Sequence, residues 1–371
     1  MRLICNLSML GSRPTGLGVY SKNCVAGLAD RFELDLIAGA EALPRGNVLI
    51  RAPASVAIGG GKWAAIRRQL WMRSLRIPSC DLVYSPTHHG LPHQTGQIIT
   101  VHDLICLRFP AQHRSQYLFF RFGLPRLLKK CRAVFTVSDT TRQDVAATYG
   151  YPLERIYVVP NGVDATAFRP DPLAKPADPF LLMVGARYRH KNVGEVLDMA
   201  QFWKQDFRLV ITSCGGGYRR TLEQKVSALG LTNRVEFKDY LSGDELLRLY
   251  QGASALLYPS LWEGFGIPPL EALACGTPVI ASDIPVHREV LGEAAQFVKP
   301  GDRQGWAAAF QSLASPSIIR ERLTAGQVLL SKLTWHHAVD ALEHALLSVE
   351  PRLEAFRQQS PANPLKNQFP L

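Results

Sequence analysis

Short apolar runs recur along the first part of the chain at Leu34–Ile37, Val48–Ile50, Leu82–Tyr84, Ile98–Val101, Val134–Val137 and Ile156–Val159, and stretches with helical spacing separate several of them. Such runs predict buried strands. Strands that alternate with helices predict parallel sheets covered on both faces, because parallel partners need a long crossover between them. The pattern breaks at Pro160–Pro179, where Pro170, Pro172, Pro176 and Pro179 interrupt any periodicity and mark a linker. It then restarts at Leu181–Val184, Leu209–Thr212, Val235–Phe237, Ala255–Tyr258, Val279–Ala281 and Gln296–Val298, with helical spacing at Arg219–Leu229 and Asp244–Tyr250. The prediction is an α/β chain of two doubly wound, Rossmann-like domains. The first covers 1–165, a linker follows over 166–179, the second covers 180–347, and a polar, proline-bearing tail over 348–371 is expected to fray. Ligands of such sheets bind outside the carboxyl ends of the strands, so the sequence places the active site in a cleft where the two domains face each other.

Composition narrows the class. Of 371 residues, 47% are hydrophobic and 20% charged, and no apolar run approaches the roughly 20 residues of a membrane-spanning helix. The start, Met1-Arg2-Leu3-Ile4-Cys5-Asn6, reads as a strand and not as a secretory signal, so a cytoplasmic location is expected. Seven cysteines, Cys5, Cys24, Cys80, Cys106, Cys131, Cys214 and Cys275, are scattered without a Cys-x-x-Cys pair and read as reduced and buried. His88, His89 and His93 invite a metal, but no second ligand cluster accompanies them and no Asp-x-Asp motif is present, so no metal is expected.

The formal net charge of +11 calls for a polyanionic partner: nucleic acid, a phosphate-bearing ligand or an acidic membrane surface. Lys62, Arg67, Arg68, Arg73 and Arg76 interleave with Trp63, Ile66, Leu70, Trp71 and Leu75, the composition of a basic amphipathic helix. A second cluster holds Arg121, Arg126, Lys129, Lys130 and Arg132. Each could be a solvated helix face, but both fall in the first domain, which favours peripheral contact with an anionic membrane.

The sharpest chemistry lies in Ser260–Ala272. After the strand Ala255–Tyr258 comes Glu263-Gly264-Phe265-Gly266-Ile267-Pro268-Pro269-Leu270-Glu271. Two prolines suit the first helical positions and Gly276 suits the stop, so the free N-terminal amides of this helix, with the flexible turn Gly264–Gly266, predict an anion site sized for a diphosphate. Carboxylates do not bind phosphate; they accept hydrogen bonds from hydroxyls, which gives Glu263 and Glu271 a sugar and a ribose to hold. At the end of Leu181–Val184, Arg187, Arg189 and Lys191 follow a glycine turn, where fixed cations would neutralise a leaving diphosphate. The loop Gly11–Tyr20, with Gly16 and Gly18, permits close backbone approach to a phosphate or sugar, and His102-Asp103 closes the strand Ile98–Val101.

These residues resemble the retaining glycosyltransferases of family 4, which have the GT-B fold. The family's Glu-x7-Glu signature matches Glu263 and Glu271. The N-terminal glycine loop, Thr100-Val-His102-Asp103, Thr136-Val-Ser138, Pro160-Asn-Gly162-Val-Asp164 and Val184-Gly-x-Arg187-x3-Lys191-Asn192 follow in the family's order across nearly the whole chain. The resemblance implies catalytic roles for His102, Glu263, Arg187 and Lys191, with His102 near the reacting sugar carbon and Arg187 and Lys191 on the donor diphosphate. It implies binding roles for Gly16, Gly18, Phe265, Gly266, Ile267 and Glu271. It further implies a hexosyltransferase that needs no metal or other cofactor, and a late helix, Trp335–Leu347 or the segment after it, that crosses back to the first domain. Likeness to bacterial mannosyltransferases favours GDP-mannose as donor and a glycan or polyprenyl-diphosphate-linked acceptor in exopolysaccharide or lipopolysaccharide synthesis, at the inner face of the plasma membrane. A UDP-sugar donor, a nucleotide-sugar epimerase of the same fold and a nucleic-acid-binding module are the alternatives; the last has no use for Glu263 and Glu271 beside an anion site.

Overall fold

The computed structural model describes residues 2–11, 15–39, 45–58, 61, 63–77, 82–174, 176–239 and 241–357. Ser12, Arg13 and Pro14 of the glycine loop, Lys62, Cys80 and residues 358–371 of the expected tail lie outside them. The chain forms two compact units, one running to Gly162 and resuming at Trp335, the other spanning Val163–Thr334.

The first unit opens with β1 (Leu3–Asn6), α1 (Gly16–Ala29), β2 (Leu34–Ala38), β3 (Asn47–Arg51) and α2 (Ala64–Ser74). It continues through β4 (Leu82–Ser85), β5 (Gln97–Val101), α3 (Ile105–Arg108), α4 (Arg114–Leu118), α5 (Leu124–Leu128), β6 (Cys131–Thr136), α6 (Asp139–Tyr149) and β7 (Ile156–Val158). All seven strands are parallel, in the order β3-β2-β1-β4-β5-β6-β7. A right-handed crossover fixes which face each helix covers. The chain moves one way along the sheet through α2, α3–α5 and α6, and the opposite way through α1. Packing agrees. Met72 of α2 joins Ile4, Ile37 and Val83, while Phe120, Leu124 and Leu127 join Ile99, Val101 and Val134, which by register point to the same side. On the other side the Tyr84 phenol lies 3.0 Å from the Thr100 hydroxyl and 3.5 Å from the Tyr20 phenol of α1.

The second unit contains β8 (Phe180–Met183), α7 (Val193–Asp198), β9 (Arg208–Thr212), α8 (Gly216–Ala228), β10 (Val235–Lys238), α9 (Gly243–Gly252) and β11 (Ala255–Tyr258). After these come α10 (Ile267–Ala274), β12 (Val279–Ser282), α11 (Pro285–Leu291), β13 (Ala295–Val298), α12 (Arg303–Ser312) and α13 (Pro316–Lys332). Its six parallel strands run β10-β9-β8-β11-β12-β13. Sequence order reverses between β8 and β11, so the loops leaving these two neighbouring strands flank a switch point. The corresponding reversal in the first unit lies between β1 and β4.

The structure corrects two boundaries. The helix α14 (Trp335–Val349), assigned by spacing to the second domain, belongs to the first unit, as the resemblance implied for Trp335–Leu347 or the segment after it. Its Val339 packs against Gly27 of α1 so closely that a Cβ there would stand 2.4 Å from Val339 Cγ2. Arg31 pairs with Glu343 and, at 2.6 Å, with Asp340. The tail expected to fray from Pro351 is instead ordered as far as Arg357. Leu353 is fully buried, Arg357 donates to Glu343 at 2.8 Å and bridges to Phe32, and Glu350 is bound by Arg132 and Arg352. The six described cysteines are all buried and free.

Candidate active site

Two loops meet at the switch point of the second unit. The first leaves β8 through Gly185, whose φ of 73° is a left-handed conformation that glycine adopts without steric cost. The chain then turns through Arg187 and a short helix at Arg189–Lys191 to Asn192, itself left-handed at φ 56°, which starts α7. The second loop leaves β11 after Tyr258 and reaches Gly266, whose φ of 105° swings the chain into α10. No side chain caps that helix, and Pro268 and Pro269 in its first turn carry no N–H, so Ile267 supplies the leading amide. A backbone bond from Leu261 N to His190 O, 2.8 Å, ties the two loops together.

At this junction Lys191 donates to Glu263 Oε1 at 2.5 Å. Its ammonium also lies 3.5 Å from the Tyr258 phenol and 5.2 Å from that ring's centre. Glu263 is buried. Burial alone would push its carboxyl up, but the Lys191 charge and hydrogen bond outweigh that and hold it below the usual carboxylate range. The Tyr258 phenol is pushed well above its ordinary value, first by burial and then by the neighbouring Glu263 charge. His287 of α11 closes the back of the site, its ring 5.1 Å from that of Tyr258. Its Nδ1 donates to Ser282 O at 2.9 Å, which leaves Nε2 a buried acceptor without a protein partner among the described residues. Burial holds this imidazole down at about 4, hence neutral.

Glu271 sits one helical turn into α10 and accepts from the Tyr250 phenol at 2.6 Å. Burial raises its carboxyl to about 7, against the pull of the Tyr250 hydrogen bond. One helix thus carries a carboxyl group poised to titrate near neutrality, while the loop before it carries one held ionised. Arg187 is exposed and lies over the Tyr188 ring, 5.8 Å away. Of the residues selected from sequence, Lys191 and Glu263 are brought into contact, and Phe265, Gly266 and Ile267 follow Glu263 directly into α10. Arg187 shares their loop pair without touching Glu263. Tyr250, Tyr258 and His287 were missed. The signal for Tyr258 was available: an aromatic with a polar tip ends an otherwise apolar buried strand.

His102, Gly16 and Gly18 belong to the first unit. Thr15 caps α1 by accepting from Gly18 N at 3.1 Å. Beside it a cavity of about 30 Å³, room for one water, is lined by Met9, Gly11, Thr15, Gly18 and Lys22. His102 directs Nε2 at Pro86 O, 2.9 Å away, and stands edge-on to Tyr20 with ring centres 4.7 Å apart. Burial lowers its imidazole to about 4, opposed by the Pro86 bond. His88 and His89 lie with ring centres 4.1 Å apart, and burial also keeps both neutral. Among the described residues no group of three or more His, Cys, Asp or Glu side chains could hold a metal. No helix among them is long and apolar enough to cross a membrane.

Comparison with known proteins shows the family. Residues 14–167 match the Glycosyltransferase Family 4 family and residues 164–326 match Glycosyl transferases group 1. The chain is 34% identical over 324 residues to the O-antigen chain mannosyltransferase RfbU of Salmonella typhimurium, covering 84% of this chain and 90% of that protein. It is 27% identical over 360 residues to O-antigen chain mannosyltransferase B of Escherichia coli, covering 87% and 93%. Among solved structures, sucrose-phosphate synthase from Thermosynechococcus elongatus superposes with a TM-score of 0.73 at 20% identity, covering 96% of this chain and all of that one. Anabaena HepE, in complex with UDP and glucose, superposes with a TM-score of 0.71 at 18% identity, covering 94% and 100%. At these identities the two structures speak for the fold, which is that of the GT-B enzymes.

Proposed function

Since this chain belongs to the group 1 and family 4 glycosyltransferases, and so uses a nucleotide-sugar donor, we propose that it transfers mannose from GDP-mannose to a glycan or polyprenyl-diphosphate-linked acceptor, with anomeric configuration retained. The second unit takes the donor and the first unit the acceptor. The observation that carries this reading is the Lys191–Glu263 pair at the mouth of α10. An ammonium, the leading helix amides and a buried ionised carboxylate stand together there, which suits a ligand that is anionic at one end and rich in hydroxyls at the other. Mannose is favoured because the relatives at 34% and 27% identity are named mannosyltransferases of O-antigen chains.

In this reading Arg187, Lys191 and the amides of Phe265, Gly266 and Ile267 stabilise the charge that grows on the diphosphate as the bond from sugar C1 to phosphate oxygen breaks. Glu263 accepts hydrogen bonds from the transferred sugar, and Glu271 from the ribose. The acceptor oxygen bonds to C1 on the face the diphosphate leaves, and its proton passes to the departing phosphate oxygen. No protein nucleophile is needed. The family likeness assigns neutral His102 to the transferred sugar and Gly16 and Gly18 to the phosphates.

Purified protein incubated with a panel of labelled nucleotide sugars, with and without a membrane lipid extract, tests the proposal. Mannose should pass from GDP-mannose into the lipid fraction only when the extract is present, and an Arg187→Ala, Lys191→Ala double variant should lose transfer. Incorporation from a UDP-sugar alone would replace the donor; this second reading draws on HepE, whose structure holds UDP. Isomerised nucleotide sugar without acceptor would replace transfer by epimerisation.

A further inference from the structure

The Lys191–Glu263 pair bridges two loops, so its geometry depends on what holds those loops together. Pro259 carries no N–H and ends the ladder of β11. Just beyond it the peptide unit Ser260–Leu261 is held from both sides. Its N–H, that of Leu261, donates to His190 O at 2.8 Å, on the residue before Lys191. Its C=O, that of Ser260, accepts from the hydroxyl of Ser282, the last residue of β12, at 2.5 Å. The two groups of a trans peptide point in opposite directions, so this one peptide ties the loop after β8 to the end of β12, with Glu263 two residues further on.

Behind Ser282 stands His287, fully buried on α11. Its Nδ1 lies 2.9 Å from Ser282 O and 3.1 Å from the Ser282 hydroxyl. A neutral imidazole carries one proton and a carbonyl can only accept, so that proton is on Nδ1 and Nε2 is an acceptor. Nε2 is buried with no protein partner among the described residues, a cost that a leucine of similar volume would not carry. Filling space therefore does not account for an imidazole here, whereas the Nδ1–H bond to Ser282 does. The same ring packs 5.1 Å from that of Tyr258, whose phenol lies 3.5 Å from the Lys191 ammonium. His287 thus supports the ion pair by two routes, through Ser282 to the Glu263 loop and through Tyr258 to Lys191.

We propose that Ser282 and His287 are positioning residues for sugar transfer: with His190 O they clamp the Ser260–Leu261 peptide and so set the separation of Lys191 from Glu263. Both act through the loop and through Tyr258. This role rests on the transferase reading above and adds to it the support that keeps the pair in place. A site pre-organised for transfer loses about 10²-fold in rate when its groups shift by about 1 Å. Glu271 lies outside the clamp, held by Tyr250 of α9, so loosening the clamp should slow transfer and spare nucleotide binding.

Ser282→Ala removes the hydroxyl and little else, and two measurements on the full chain read the result. Hydrogen exchange at the Leu261 amide should be at least about tenfold faster than in the parent. With labelled GDP-mannose and membrane lipid extract, kcat should fall about 10- to 100-fold, while the donor KM and the affinity for GDP stay within about threefold of the parent. His287→Leu should reproduce both effects. His287→Asn, whose side-chain amide can stand in for the Nδ1–H, should recover most of the lost kcat. Melting temperatures check folding, and if His287→Leu does not fold, Ser282→Ala and His287→Asn decide. Unchanged Leu261 exchange in Ser282→Ala, parent-like kcat in His287→Leu, or a KM that rises as far as kcat falls would overturn the proposal. Equal losses in the Asn and Leu variants would reduce His287 to a packing residue and overturn its part. If the parent turns over no nucleotide sugar while Leu261 exchange responds as stated, the function proposed above falls and the clamp stands; transfer by the parent with unresponsive exchange gives the reverse.

Discussion

The two units both bury ionisable groups beyond the carboxyl ends of their strands, and reach opposite results. In the second unit the buried carboxylate of Glu263 has a cation 2.5 Å away and keeps its charge. In the first, burial leaves His88, His89 and His102 neutral, and the guanidinium that reaches His88 and His89, that of the buried Arg68, disfavours their charged forms further. A buried group stays ionised only where a partner of opposite charge repays its lost hydration. The comparison teaches where each kind of chemistry can reside. A paired, fixed charge is held in the second unit, and neutral rings are held in the first.

The sharpest way to break this comparison is to remove the partner. Lys191→Ala leaves Glu263 buried and alone, so we expect transfer to fall by about 10³-fold or more and the second unit to lose about 3–5 kcal/mol, measured by steady-state kinetics and denaturant unfolding. Glu263→Gln in the same background should restore most of the stability and none of the activity. If the single variant is as stable as the parent, the pair is not the buried unit described here.

A substitution remote from either site should act on stability with no share in charge. Gly27→Val forces side-chain atoms into Val339, and we expect a loss of about 3 kcal/mol, with a second change, Val339→Ala, recovering part of it. Loss of stability only in the first unit would show that α14 is held there.

Glu271 offers a pH test. Its folded pKa, about 7, lies above the ordinary 4.5, so the stability tied to its protonated form is present below 4.5 and is lost as pH rises to about 7. Glu271→Gln should remove that decline, about 3 kcal/mol across the window, in melting curves taken at successive pH values. Parallel curves for parent and variant would refute the raised value. Glu350 behaves in the opposite sense. Hydrogen bonding by Arg352, and then by Arg132, lowers it to about 2, so its contribution is present above 4.5 and fades as pH falls toward 2. Glu350→Gln should cost about 1 kcal/mol at neutral pH and nothing at the acid end, the smallest effect expected here.

Much of the fold was legible because strands buried on both faces read as uninterrupted apolar runs. The leading turn of α10 was legible because prolines and a glycine at fixed positions mark a helix start whatever surrounds it. Other features had no local signature. The side on which α14 packs rests on Gly27 meeting Val339 and on Arg31 reaching Asp340 and Glu343, contacts between residues some three hundred positions apart. Helical spacing in α2 was readable, but not that Arg68 turns inward while Ile66 and Leu70 turn out.

By itself, then, the sequence determined what local stereochemistry and periodic burial dictate: two series of parallel strands alternating with helices, and a glycine turn between Glu263 and Glu271 that opens a proline-led helix. Only the tertiary structure decided which charges meet, which acids are held ionised or lifted toward neutrality, and which apolar side chains remain in water. Those outcomes depend on distance and on the loss of water around each group, and neither is a property of neighbours along the chain.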